Sequence, residues 1–349
     1  MERHVQNMTL TKLQSALAKV PRVPLAKLPT PLDELTRLGP RLGIRLLLKR
    51  EDLTGLALGG NKSRMFEYLM ADAVDKKADV VVGGAAAQSN FCRQLAAACA
   101  ALGLELHLFL REVRGKVDRE PQGNLLLDLL FGATVRILEV SPTEQRARME
   151  AHVVELRRAG RRPYFPQGEK YLGALAYIAC AAELYGQLDA AGITADWILT
   201  SAAGETQAGL VVGTKLLGRA TQVIGINPGV TWWDVPTEVK RFGEGAARRL
   251  GLTCPIDPAE VINYGQYAGE GYGTPSPEGL AALALMARTE GILLDPVYTS
   301  KALVGLQDLI RKGVIQTGQT VVFLHTGGLP ALFAYTEALA GAGLTTLQA

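Results

Sequence analysis

The 349-residue sequence predicts an α/β protein built on mostly parallel sheets, and two observations predict it. Short apolar runs alternate with helical apolar patterns through most of the chain. Glycine-containing turns separate the two kinds of segment. Strand, loop and helix repeated in that order imply right-handed crossovers and parallel pairing. In such sheets ligands bind beyond the carboxyl ends of the strands, so the loops after the apolar runs are where chemistry belongs.

The first unit follows Lys49-Arg50-Glu51-Asp52-Leu53. A Gly59-Gly60 turn leads into Asn61-Lys62-Ser63-Arg64, after which Met65, Phe66, Leu69, Met70 and Ala73 recur at helical spacing. Val80-Val81-Val82 reads as a strand ending at Gly83-Gly84, followed by an Ala-rich helix from Phe91 to Leu102. Leu106–Leu110 and Val135–Leu138 are further strands. Trp197–Thr200 precedes a glycine-containing turn and a helix from Ala208, while Val223–Ile226 and Val321–Leu324 complete the strand set. The Gly-, Tyr- and Pro-rich stretch Tyr264–Pro277 is a long irregular connection of the kind that covers active sites. There is no internal repeat and no low-complexity tract.

Bulk properties narrow the function classes. A hydrophobic fraction of 48% supports a substantial core in two domains or one large one. A net charge of +3, from 37 basic and 34 acidic residues spread along the chain, makes no electrostatic case for nucleic acid or membrane surfaces, so the expected partner is a small molecule. Cys92, Cys99, Cys180 and Cys254 show no Cys-x-x-Cys spacing, and with only four histidines a metal site is not expected. Cys92 and Cys99 share a helical face as small core residues. No stretch approaches the ~20 apolar residues that span a bilayer, and the expected compartment is the cytoplasm.

Lys62 is the most informative residue. A lysine in the first turn of a helix, beside apolar neighbours, feels the positive helix end and partial desolvation, both of which favour a free amine able to form a Schiff base. The plain alternative is a solvated lysine near a cap. A phosphate-binding P-loop fails, because Asn61 stands where its lysine must be. Ser201-Ala202-Ala203-Gly204-Glu205-Thr206-Gln207 has the small residues that let backbone N–H groups approach a phosphate, with the Thr206 hydroxyl as a further donor. An ordinary strand-to-helix turn fits that loop equally well. Gly269, Gly271 and Gly273 lie in irregular sequence, so dinucleotide binding is poorly supported. Gln88-Ser89-Asn90 stands at a helix start, where capping accounts for at least one residue and the Asn90 amide can also bind a ligand oxygen. In His325-Thr326-Gly327-Gly328 the threonine hydroxyl can meet a heteroaromatic nitrogen without imposing charge, or cap a following Leu329–Leu339 helix. Tyr272 and Tyr298 are placed to stack or to transfer protons, or are packed aromatics.

Taken together, Lys49-Arg50-Glu51-Asp52, Gly59-Gly60-Asn61-Lys62, Gln88-Ser89-Asn90, Thr206-Gln207-Ala208-Gly209-Leu210, Gly271-Tyr272-Gly273, Asp295-Pro296-Val297-Tyr298 and His325-Thr326-Gly327-Gly328 resemble one family. It is the pyridoxal-phosphate enzymes of the 1-aminocyclopropane-1-carboxylate deaminase and D-cysteine desulfhydrase group, and the motifs run in family order from about residue 30 to 335. The resemblance implies a tryptophan-synthase-β-like fold (PLP fold type II), with two open, mostly parallel sheets flanked by helices. It implies a small domain, 59–172, inserted in a large cofactor domain made of 1–58 and 173–349, and a homodimer. Pyridoxal 5'-phosphate is the implied cofactor and a small amino acid the implied substrate. By the same resemblance Lys62 would hold the cofactor and move the α-proton, Asn90 would meet the ring hydroxyl, and Ala202, Ala203, Gly204, Glu205 and Thr206 would bind the phosphate. Thr326 would face the ring nitrogen, Gln88 and Ser89 would take the substrate carboxylate, and Tyr272 and Tyr298 would flank the substrate.

Two departures from the family pattern stand out. Phe91-Cys92 replaces the usual polar residues beside the carboxylate pocket, and Glu205 stands where Gly or Ser is usual, so its side chain must turn from the phosphate or pair with a base. Ring-opening deaminases that resemble this chain carry Glu at the position of Thr299. The expectation is therefore α,β-elimination of the D-cysteine desulfhydrase kind, a carbon–sulfur lyase reaction giving pyruvate and ammonia. Cysteate sulfo-lyase, cyclopropane deaminase and a non-catalytic cofactor- or metabolite-binding protein are the alternatives.

Overall fold

The computed structural model describes residues 7–342, so the first six and last seven residues of the expected large domain lie outside the described residues. Ten strands form two sheets: β1 Leu32–Glu34, β2 Arg45–Lys49, β3 Val80–Ala86, β4 Glu105–Arg111, β5 Thr134–Leu138, β6 Pro163–Tyr164, β7 Trp197–Ser201, β8 Gln222–Ile226, β9 Ile262–Tyr264 and β10 Thr320–Leu324. The six-stranded sheet has the order β1-β2-β10-β7-β8-β9, and the four-stranded sheet the order β5-β4-β3-β6. All pairings are parallel except β1 with β2. The larger sheet thus draws strands from both ends of the chain, and the smaller one only from its middle.

Four of the inner strands are apolar and buried along nearly their whole length, as sheets covered by helices on both faces require. The 21-residue helix Lys170–Ala190 is the central brace. It packs on the helices Glu205–Leu216, Asn61–Asp75 and Val235–Arg249. Cys92, Cys99 and Cys180 are fully buried among these apolar side chains.

Several elements differ from the sequence expectation. β3 does not stop at Gly83-Gly84 but runs through both to Ala86. A Cβ on Gly84 would stand 2.1 Å from the Phe109 carbonyl oxygen, so these glycines permit close strand approach rather than a turn. The helix expected from Ala208 begins at Glu205, which shortens the loop before it. The expected Leu329–Leu339 helix is instead a 3-10 segment, Leu329–Ala334, followed by a short helix Thr336–Gly341. Pro330 at its start cannot donate a backbone hydrogen bond and suits an opening turn better than a helix interior. β1, β6 and β9 are edge strands of two or three residues, and β2 is an inner strand whose apolar run Leu46–Leu48 is only three residues long; the sequence reading passed over all four.

Candidate active site

The carboxyl ends of strands from both sheets face one crevice holding a cavity of about 400 Å³, within the range of small-molecule sites. The Asn61–Asp75 helix delivers Lys62 to it. Gly60, at φ 127°, precedes that helix, and a side chain there would collide with the Gln94 amide at 2.6 Å, so the turn requires glycine. The Lys62 amine is lowered below the ordinary lysine range, chiefly by burial and further by nearby Lys170, with Glu205 opposing. A neutral amine is therefore accessible to it.

Opposite lies the start of the Glu205–Leu216 helix. Gly204 precedes it without a side-chain cap, so the first backbone N–H groups stay open to an anion, and Ala202, Ala203, Gly204 and Thr206 line the cavity. Asn61 Nδ2 donates to Thr206 Oγ1 at 3.0 Å, which leaves the Thr206 proton free to donate onward. Trp233 Nε1 ties the loop down through the Ala203 carbonyl at 2.9 Å. Glu205 pairs with Lys170 at 3.0 Å. Burial opposes its charge, yet Lys170 and Lys62 hold its carboxyl down at about 2, so the acidic departure carries its own counter-charge.

Ser89 caps the Asn90–Leu102 helix, its Oγ accepting from the N–H of Phe91 at 3.2 Å and of Cys92 at 3.3 Å. It also lines the cavity, as do Asn90 and Phe91. Asn90 Oδ1 accepts from Arg93 and from Asn124, each at 3.0 Å, which fixes the amide and leaves its Nδ2 to donate to a ligand. Phe91 packs against Phe66 with ring centroids 5.1 Å apart and forms an apolar wall. Thr326 lines the cavity at the end of β10. Next to it, burial lowers the His325 imidazole and keeps it neutral; its Nε2 donates to the Leu293 carbonyl at 3.0 Å. The hydroxyls of Tyr272 and Tyr298 bond to one another in the cavity wall. Burial raises both phenols, so this pair starts as neutral donors.

One expected site residue, Gln88, does not line this cavity, and neither does Thr299. The Gln88 side chain turns away to hold the next helix start, donating to the Gln122 carbonyl at 3.0 Å and accepting from the Asn124 N–H at 2.9 Å. Its amide is thus engaged by the scaffold that orients Asn90. Thr299 is fully buried, its hydroxyl donating to Asp295 at 2.7 Å. Its contrast with glutamate therefore lies behind the cavity wall, whereas Thr326 lines the cavity.

Sequence reading missed Asn61, Arg111, Lys170, Trp232 and Trp233, all of which line the cavity. The adjacent tryptophans, in a chain with only three, were the legible signal. Arg111 and Lys170 gave none, because each depends on packing between distant segments. Among the described residues no group of three or more His, Cys, Asp or Glu could hold a metal ion.

Comparison with known proteins accords with this geometry. The family described as pyridoxal-phosphate dependent enzyme matches residues 23–327. A D-cysteine desulfhydrase of Yersinia enterocolitica is 39% identical over 330 residues, covering 93% of this chain and 98% of that protein. One from Klebsiella pneumoniae is 38% identical over 323 residues, covering 91% and 97%. A crystal structure titled as an ACC deaminase homologue matches with a TM-score of 0.87 at 35% identity, covering 95% of this chain and 99% of that one. The residues fit the cofactor this implies: an open helix start suits a phosphate, a fixed amide donor suits a ring hydroxyl, and an amine of lowered basicity suits a carbonyl. The chain belongs to the pyridoxal-phosphate dependent enzymes, and its fold is the two-sheet, tryptophan-synthase-β-like arrangement.

Proposed function

We propose that this protein is a D-cysteine desulfhydrase-like carbon–sulfur lyase, which eliminates the β-substituent of a small amino acid to give pyruvate and ammonia. The observation that carries the reading is the convergence of Lys62, Asn90, the open Glu205–Leu216 helix start, Thr326 and the two tyrosines on one cavity. Full-length relatives named D-cysteine desulfhydrase support it. Pyridoxal 5'-phosphate, when bound, supplies the electron sink that makes the α-proton of an amino acid acidic.

The remaining work falls to the chain's own residues. The loop Ala202–Thr206 would hold the phosphate, Asn90 Nδ2 would donate to the ring hydroxyl, and the Thr326 hydroxyl would meet the ring nitrogen without adding charge. Lys62 Nζ accepts the α-proton, and its lowered basicity keeps a free amine available for that transfer. Ser89 and the start of its helix receive the substrate carboxylate, with Phe91 as the apolar side of the pocket. Tyr272 and Tyr298 flank the substrate and share a proton that can follow the leaving group. Gln88 acts at one remove, by holding Asn124 and through it Asn90.

The proposal extends to organisation. Residues 59–172 form the small domain around the four-stranded sheet. The protein works as a cytoplasmic homodimer without nucleic acid. Leu126, Leu129, Leu130 and Phe333, between 41% and 71% exposed, form an apolar face that supports self-association. Among the described residues no helix is long and apolar enough to cross a membrane. Light scattering on the purified protein tests the dimer.

The deciding experiment is keto-acid release by cofactor-loaded protein from D-cysteine, L-cysteate, β-chloroalanine and 1-aminocyclopropane-1-carboxylate. Elimination substrates are expected to exceed the cyclopropane in kcat/KM. Ring opening as the best activity would move the protein to deaminase chemistry, and no turnover of any of the four would leave a binding protein.

A further inference from the structure

Arg111 ends β4 at the cavity and is only partly buried. Its backbone is fixed: its carbonyl accepts from the Ala87 N–H at 2.9 Å, and its Cα pairs with Ala86 across the sheet. Its side chain has no comparable anchor. The buried Nε has no hydrogen-bond partner, and among the described residues no carboxylate forms an ion pair with the guanidinium. The carboxylate that acts on it, Asp118, is engaged elsewhere, accepting from Arg114 Nε at 2.8 Å and from the N–H groups of Val113 at 2.7 Å and Arg114 at 2.9 Å.

The other permanent cations of the cavity wall are matched, Lys170 by Glu205 at 3.0 Å and Arg146 by Glu150 at 2.8 Å. A guanidinium partly withdrawn from water, with a buried Nε that lacks a partner, still costs free energy unless something neutralises it. The Ser89 hydroxyl, whose oxygen accepts from the Phe91 and Cys92 N–H groups and whose proton is left to donate, is the receiver proposed above for an α-carboxylate. A second, unmatched cation in the same cavity therefore calls for a second negative charge on the substrate.

We propose that Arg111 is a specificity-determining residue that receives an anionic β-substituent, so that the favoured substrate class is amino acids carrying a β-sulfonate or comparable oxyanion. The inference rests on the elimination reaction proposed above. In that step the α-proton passes to Lys62 and the Cβ–S bond breaks, its electron pair leaving with sulfur as sulfite. The enamine left behind takes a proton at Cβ, and water hydrolyses the resulting imine to pyruvate and ammonium. The leaving group's charge grows from one to two negative as the bond breaks. A fixed cation beside it thus stabilises the transition state more than the bound substrate. Tyr272, close enough to Arg111 for each to act on the other's charge, is placed to follow the same group.

The test compares the cofactor-loaded wild type with Arg111→Gln and Arg111→Lys, using both enantiomers of cysteate against β-chloroalanine. The ratio of kcat/KM for cysteate over β-chloroalanine is expected to fall on the order of ten- to hundredfold in Arg111→Gln, the range of a lost charged hydrogen bond, and to recover in part in Arg111→Lys. Calorimetric binding of 3-sulfopropanoate and butanoate, which cannot react, reads the same site without turnover. Wild type should bind the sulfonate at least tenfold tighter than Arg111→Gln does, with butanoate unaffected by the change. An unmoved kcat/KM ratio, or equal sulfonate affinity in the two proteins, overturns the role of Arg111. If neither amino acid is turned over, the elimination reading fails and the binding comparison alone decides Arg111.

Discussion

Two regions of this molecule gather charge away from water, and they treat it in opposite ways. Behind the Lys62 helix, Arg64 and Glu51, 2% and 0% exposed, pair at 2.8 Å, and Arg64 also reaches Glu183 at 3.0 Å. Lys49 binds the same Glu183 at 2.5 Å together with the Thr30 carbonyl at 2.7 Å and Gln187 at 2.8 Å. Tyr177 completes the set, donating to Glu51 at 2.9 Å. Every charge in that network has a partner. In the cavity, by contrast, Lys62 has no carboxylate ion pair among the described residues and the Nε of Arg111 has no partner. Both regions lie at the heart of the fold, and both exact a desolvation cost. The closed one converts it into a single rigid placement of helix and sheet, while the open one leaves groups whose needs only a ligand meets. Lys49 and Glu51 of the Lys49–Asp52 motif thus build the mount of the lysine motif.

The sharpest way to break the contrast is Lys62→Ala. It should lower turnover by more than roughly a thousandfold and abolish the visible absorbance of lysine-bound cofactor, while leaving the protein folded and the cofactor held through its phosphate. A retained lysine-bound spectrum would place the attachment elsewhere. The corresponding change in the closed network, Glu51→Ala, should do the reverse. It strands Arg64 and should cost about 3–5 kcal/mol of stability, read as a lower urea midpoint.

The network also sets an acid limit. Burial opposes the Glu51 charge, but Arg64, Thr30 and Lys49 hold its carboxyl at about 2, against 4.5 for an ordinary glutamate. Because the folded value is depressed, its stabilisation is complete above pH 4.5 and is lost as the pH falls through 2. The linkage is worth roughly 3 kcal/mol. The advantage of wild type over Glu51→Gln in chemical unfolding should therefore shrink between those two pH values; a constant difference would mean that Glu51 does not titrate in that window.

Thr206→Val should weaken cofactor affinity by roughly five- to hundredfold, since it removes one hydroxyl donor to a charged group, with little change in the chemistry of fully loaded enzyme. Unaltered affinity would take Thr206 out of the phosphate site. The smallest effect belongs to Ser89→Ala. As a helix cap it should cost about 1 kcal/mol of stability, and a loss of kcat well beyond that of the carboxylate contact would show that Ser89 also acts on the reacting atoms.

Much of this was legible from residue order, because turns, caps and strand–helix alternation depend on neighbours a few positions apart. The Gly59-Gly60 turn ahead of Lys62, the apolar strands, and the small residues before Thr206 carry their conformational preference locally, and the motif series pointed to the family. Pairing across long separations was not legible in that way. Glu183 meets Lys49 across 134 positions and Lys170 meets Glu205 across 35, and nothing in either sequence neighbourhood announces the partner. The same holds for side-chain direction. Gln88 stands one residue from Ser89, yet it turns to Asn124 while Ser89 faces the cavity, because the helix start of Gly123–Leu130 packs against one and not the other.

The sequence by itself therefore determined the α/β class and picked out the lysine and loops that line the cavity, all matters of local backbone preference and residue chemistry. Only the tertiary structure decided which charges are matched and which are left open, that Glu205 is tamed by Lys170, that Thr299 is walled off, and that Arg111 faces the cavity without an ion-pair partner. Those outcomes depend on the packing of two sheets against each other, because the electrostatic energy of a group depends on what surrounds it in space rather than on what adjoins it along the chain.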